Sequence, residues 1–184
     1  MLSKNNNLLI MKDNINILTI VTWVLLLSSV AVLLNDFREF DFKQFENFQN
    51  WAKTADGNES WFTSKNGIQW SYYAISAGLF FWRGYLIYGF SYFLFILKEI
   101  ENGNYFSDTN IKHFKKIGNI FIWYTVNVLV LRFLLAATQQ STFNFFNELK
   151  AEFTFLIPAG LAFYIFAEMF KRAKKAEDEN ELTI

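Results

Sequence analysis

Apolar residues gather into four long runs along this chain, separated by stretches that mix charges with aromatic rings. The first run, INILTIVTWVLLLSSVAVLL, extends from Ile15 to Leu34. The second covers about Tyr72 to Leu97. The third, IGNIFIWYTVNVLVLRFLLAA, covers Ile117 to Ala137, and the fourth, FTFLIPAGLAFYIFAEMF, covers Phe153 to Phe170. A helix needs about 20 mostly apolar residues to cross the hydrocarbon of a bilayer. Within such a segment a helix satisfies its own backbone groups, so the expected class is all-α. The pattern predicts a single transmembrane domain over residues 1–184, built as a four-helix membrane bundle. A soluble bundle with buried helices is the alternative.

Between the first two runs the pattern changes. In NDFREFDFKQFENFQNW, Phe37, Phe40, Phe45, Phe48 and Trp51 fall on one helical face, with Arg38, Glu39, Lys43 and Glu46 on the other. This predicts an amphipathic helix over residues 36–52, lying on the outer membrane surface or capping the bundle. Its aromatic face suits membrane-interface packing, or a lid or partner surface.

The loop ENGNYFSDTNIKHFKK follows the second run. Asn102, Gly103 and Asn104 tolerate left-handed backbone and predict a turn. Ser107 suits a helix N-cap, with Phe106 and Ile111 spaced as a hydrophobic staple. Asp108 stands in the first turn, where the helix dipole favours an acid. The third helix is therefore predicted to begin near Asp108. The tail FKRAKKAEDENELTI, residues 171–184 with the phenylalanine before them, predicts a continuation of the fourth helix. Lys174–Asp178 and Lys175–Glu179 have the spacing of helical ion pairs.

Composition sharpens this picture. Aromatic residues make up 20% of the chain, with 23 Phe, and charged residues 18%. That is too apolar for a disordered chain. There is no cysteine, so disulfides and thiol chemistry are excluded. Formal net charge is zero, so no global field draws the chain to nucleic acid. The first run is longer than a signal-peptide core and lacks a small-x-small cleavage pattern, so it reads as a retained membrane helix.

Lysine and arginine set the expected direction. Ten of them fall on the N-terminal segment, the 98–116 loop and the tail, against five on the loops 35–71 and 138–152. The positive-inside rule then places both termini in the cytoplasm.

The chain shows no catalytic constellation. His113 is its one histidine, and it falls on the polar start of the third helix. Neither a zinc set nor a phosphate-binding glycine loop occurs. Intramembrane polar residues are the stronger candidates: Arg83, Arg132, Asn127 and Glu168. Counted from Tyr72, Arg83 lies about 17 Å deep, and Arg132 about 9 Å from the outer end of the third span. Glu168 is too far from Arg83 in depth and has Arg172 at i+4. The expected partners of Arg83 are Asn127, Thr125 or an outer-loop carboxylate. On the second helix Gly78, Trp82, Tyr85, Gly89 and Tyr92 share a face suited to close packing, and Arg83 lies off it.

The four runs, the loop and the ending IFAEMFKRAKKAEDENELTI together resemble the YoaS-like family of bacterial four-helix membrane proteins, a domain of unknown function (DUF2975). Its G-x-x-F-s-x-x-N element matches Gly103, Phe106, Ser107 and Asn110. Its closing pattern matches Glu168, Phe170, Ala173, Glu179, Asn180, Leu182, Thr183 and Ile184. Ala173 stands where the family usually has glycine, and Ala176 where it has leucine. The aromatic loop after the first helix is divergent.

The resemblance implies no activity. It does imply, by association, a small cytoplasmic helix-turn-helix regulator as partner. The leading expectation is thus a non-enzymatic, multi-pass protein of the bacterial cytoplasmic (inner) membrane. It would signal or regulate through its loop and tail, without cofactor or direct nucleic-acid contact, in the bilayer and as a homo-oligomer or with a membrane partner. The rivals are a small transporter, channel subunit or immunity-type protein using Arg83 and Arg132, and a structural subunit of a larger complex.

Overall fold

Each of the four apolar runs lies within a helix longer than itself. The computed structural model describes residues 2–40, 65–138 and 145–181, and all four elements among them are helical: α1 (Leu2–Arg38), α2 (Lys65–Glu101), α3 (Asp108–Thr138) and α4 (Phe145–Glu181). All four are long and apolar enough to cross a membrane. Pro158 stands inside α4, where it has no N–H to offer the carbonyl of Thr154. The helix continues through it.

The helices pack in chain order, α1 on α2, α2 on α3 and α3 on α4. No comparable contact joins α1 to α4 among the described residues, so the expected bundle is open on one side. Burial follows this order. On α3, Ile117 and Ile120 are fully buried and Val128 nearly so. On α1, Ile15 and Leu26 are the buried residues among the described side chains, while Leu27 and Leu34 are each 64% exposed. A helix that is apolar on every side and exposed on most is matched to lipid rather than to water.

Close backbone approach sets the crossings. A side chain at Gly89 would meet Ile120 at 2.7 Å, and one at Gly78 would meet Leu131 at 3.1 Å. The small-and-aromatic stripe of α2 is thus its α3 face, with Tyr92 buried on it. On the other side of α3, Gly118 and Gly160 leave room for each other: a Cβ on Gly118 would lie 2.8 Å from the Gly160 oxygen. Small residues at a helix crossing let backbones approach, which adds dispersion contact where water supplies no driving force. Tyr164 adds a polar tie by donating its hydroxyl to Asn119.

Many of the phenylalanines form one seam. Phe90 packs on Phe121, Phe121 on Phe163, and Phe163 on Phe93, with centroids 5.5, 5.6 and 5.1 Å apart. Phe114 meets Phe170 at 5.0 Å, and Phe170 meets Phe106 at 5.3 Å. Ring pairs at these separations add to simple burial. The seam runs from the middle of α2 to the turn between α2 and α3.

Candidate functional site

Two regions gather polar chemistry, one at each end of the array. The first is the turn joining α2 to α3 together with the end of α4. Gly103 has φ of 85°, a left-handed conformation that glycine adopts without strain. The Asn104 N–H donates to the Glu99 carbonyl at 2.9 Å, and the Gly103 N–H to Ile100 at 3.0 Å. This is a Schellman closure of α2. Ser107 then caps α3, its Oγ accepting from the Asn110 N–H at 3.1 Å. Asn110 is fully buried. Its Nδ2 donates to the carbonyls of Asn104 and Tyr105, at 3.0 and 3.1 Å. Gly103, Phe106, Ser107 and Asn110 therefore build one turn: glycine closes the helix before it, serine opens the next, and asparagine ties the backbone between.

The tail of α4 is fastened to this turn. Phe170 packs on Phe106, and Lys174 pairs with Asp108. The sequence spacing pointed Lys174 toward Asp178 on its own helix. The structure sends it across to α3, because the crossing at Gly118 and Gly160 brings α4 beside the start of α3. Lys175 does pair with Glu179, at 3.6 Å, and Arg172 with Glu168, also at 3.6 Å. A shallow groove of about 390 Å³ lies along this strap, with Lys171, Arg172 and Lys175 beside Glu168 and Asp178. Asn180 is exposed near the end of α4. Thr183 lies outside the described residues.

His113 stands in the first turns of α3, where it was expected. It is half-buried rather than simply on a polar surface, with its ring 5.1 Å from Tyr92 and 5.6 Å from Phe95. Beside it Lys116 holds its ammonium 4.8 Å from the centre of the Tyr92 ring. Lys116 is exposed and makes a cation–π contact between α2 and α3. The contact pairs residues far apart in sequence, so no local pattern announces it.

The second region lies at the far end. Arg83 pairs with Asp36 in the last turn of α1. Of the partners expected for it, the carboxylate is the one the structure supplies. Asn127 and Thr125 do not join it: Asn127 donates to the Trp123 carbonyl at 2.7 Å, and Thr125 to Phe121 at 2.9 Å. Both polar groups are satisfied within their own helix, as short polar side chains in helices often are.

The depth of Arg83 depends on the helix from which it is counted. Phe37 packs on Phe80, and Phe40 on Phe80 and Tyr72, so the end of α1 is level with Phe80. Asp36 stands two residues beyond Leu34, where the first apolar run stops. Arg83 is therefore close to the level at which the apolar run of α1 stops, while on α2 it stands well inside the candidate span Gln69–Glu101. α2 begins at Lys65 and overshoots the end of α1, so the two helices give different depths for Arg83. Around this pair is a cavity of about 380 Å³, which Arg132, Ser76 and Tyr124 also line.

Phe37 belongs to α1, and Phe40 follows its end. The rest of the predicted outer amphipathic helix, with Phe45, Phe48 and Trp51, lies outside the described residues.

A family model described as "Protein of unknown function (DUF2975)" matches residues 56–184. The chain belongs to that family. The match takes in α2, α3, α4 and both polar regions, except for Asp36 and the rest of α1. No curated protein and no solved structure matches the chain.

Proposed function

We propose that this DUF2975 member is a multi-pass protein of the bacterial cytoplasmic membrane that acts as an anchored docking platform, not as an enzyme. The observation that carries the reading is the strap between the turn and the tail, made by Lys174–Asp108 and Phe170–Phe106. It turns two segments distant in sequence into one surface of defined shape. Beyond Phe170, α4 continues as a helix for about three turns. The basic half of that extension suits anionic headgroups, and the acidic half beyond it suits a soluble partner. The excess of lysine and arginine at this end supports a cytoplasmic location. The partner class is a small cytoplasmic protein with a basic face, and a helix-turn-helix regulator fits that description.

The test is gentle purification from membranes of the full chain and of a chain ended after Lys175. A defined cytoplasmic protein should accompany the first and be lost from the second. Equal recovery with both would remove the tail from the account. The transport reading draws on Arg83 and Arg132. Both line a single cavity at one end of the array, which favours binding over conduction.

A further inference from the structure

The lysines at the start of α3 form one stripe with the apolar positions that follow them. At about 100° per residue, Lys112, Lys115, Lys116, Asn119, Trp123 and Val126 fall within about 100° of arc, and all six are exposed. The first half of the stripe is basic without compensation on its own helix, because the sequence holds no acid between Asp108 and Glu148. Asp108 itself is taken by Lys174, and on α4 Glu168 is taken by Arg172. None of the three lysines has an ion pair among the described residues. The flanking helices hold two of the polar groups in place. On α2, the rings of Tyr92 and Tyr88 lie 4.8 and 5.7 Å from the Lys116 ammonium. On α4, Tyr164 donates its hydroxyl to Asn119 Oδ1, which leaves the amide N–H groups of Asn119 as donors.

We propose that this stripe of α3 binds an anionic phospholipid, with the phosphate against Lys112, Lys115, Lys116 and Asn119 and an acyl chain along Trp123 and Val126. Three observations support that occupant. The first is height, on which three helices agree. The apolar run of α3 starts directly after Lys116, that of α4 stops directly before Lys171, and that of α2 stops directly before Lys98. Phe114 packs on Phe170 and His113 on Phe95, so these three ends stand level with one another. A ring of lysines at the border of an apolar layer is where headgroups lie. The second is length. One leaflet is about 15 Å of hydrocarbon, or about ten residues of helix. Trp123 and Val126, 57% and 41% exposed, fall within that distance of Ile117. The third is preorganisation: the cation–π contact holds the Lys116 ammonium in place before any ligand arrives, which lowers the cost of binding. Lys115 and Lys116 take no part in the strap of Lys174 and Phe170, so the stripe stands or falls separately from the docking surface.

Native mass spectrometry of the detergent-purified full chain tests this. The probes are phosphatidylglycerol, phosphatidylethanolamine with the same chains, and inorganic phosphate. Phosphatidylglycerol should be retained over phosphatidylethanolamine, and phosphate alone should be lost. Lys112→Gln and Lys115→Gln should each weaken phosphatidylglycerol about fivefold, as expected for one lysine at a lipid surface. Lys115 makes no hydrogen bond, ion pair or ring contact among the described residues, so its variant reads binding without disturbing the fold. Trp123→Ala should weaken both lipids and keep the preference between them. Arg132→Gln removes the same charge at the far end and should leave the preference unchanged. Equal retention of the two lipids would overturn the proposal. So would phosphate held as well as the lipid, a loss with Arg132→Gln as large as with Lys115→Gln, or retention indifferent to both Lys115→Gln and Trp123→Ala.

Discussion

Asn110 holds the carbonyls of Asn104 and Tyr105 from a position with no exposure to solvent. Replacing it by alanine leaves both carbonyls short of a donor. Asn110→Ala should lower stability by about 1–2 kcal/mol, read as a fall in melting temperature in detergent. Asn104→Ala removes only a side chain at an exposed position and should change little. At this scale the sequence was partly legible. Gly103 and Ser107 follow rules that involve only their neighbours, so turn and cap could be read directly. The backward reach of Asn110 and the crossing of Lys174 depend on where the chain turns next, and composition carries no such information. Arg83 shows the same limit: an outer-loop carboxylate was one of three partners open to it, and choosing Asp36 required the relative height of two helices.

The helices themselves were the most legible level, because about 20 apolar residues admit few other structures. Their ends were less so. Polar residues at both ends of the runs remain helical, and α2 starts at Lys65 rather than near Tyr72. Of the glycines that set the packing, Gly78 and Gly89 could be placed on one packing face by their period, and the structure makes that the α3 face. Gly118 and Gly160 each stand in an apolar run with nothing to mark them as partners. Their contact gives a clear expectation. Gly160→Leu should push α4 from α3 and cost about 1–3 kcal/mol. By contrast Gly84 has no neighbouring atom within 4 Å of an added Cβ, so Gly84→Ala should be neutral or stabilising by up to about 1 kcal/mol. Thermal unfolding of the two variants side by side checks this. Similar losses from both would mean that the α3–α4 crossing is not set by the glycine pair.

For the whole molecule, the open order α1, α2, α3, α4 puts the turn and tail at one end and the arginine cavity at the other. With four helices crossing, the turn at Asn104 and the tail at Glu177 share a side, and the start of α2 lies on the opposite one. The absence of cysteine makes this direct to examine. Single substitutions Asn104→Cys and Glu177→Cys should resist a membrane-impermeant thiol reagent in intact cells and react after lysis, and Trp70→Cys should react in both. The reverse pattern would invert the topology and move the docking surface outside the cell. The measurement that bears most directly on the docking platform is site-specific photo-crosslinking in living cells, with the photoreactive residue at Glu177. The account predicts one discrete adduct with a cytoplasmic protein, absent when the probe is moved to exposed Phe155 and much reduced when Asn110→Ala loosens the strap. No adduct at Glu177, or an adduct indifferent to Asn110, would contradict it.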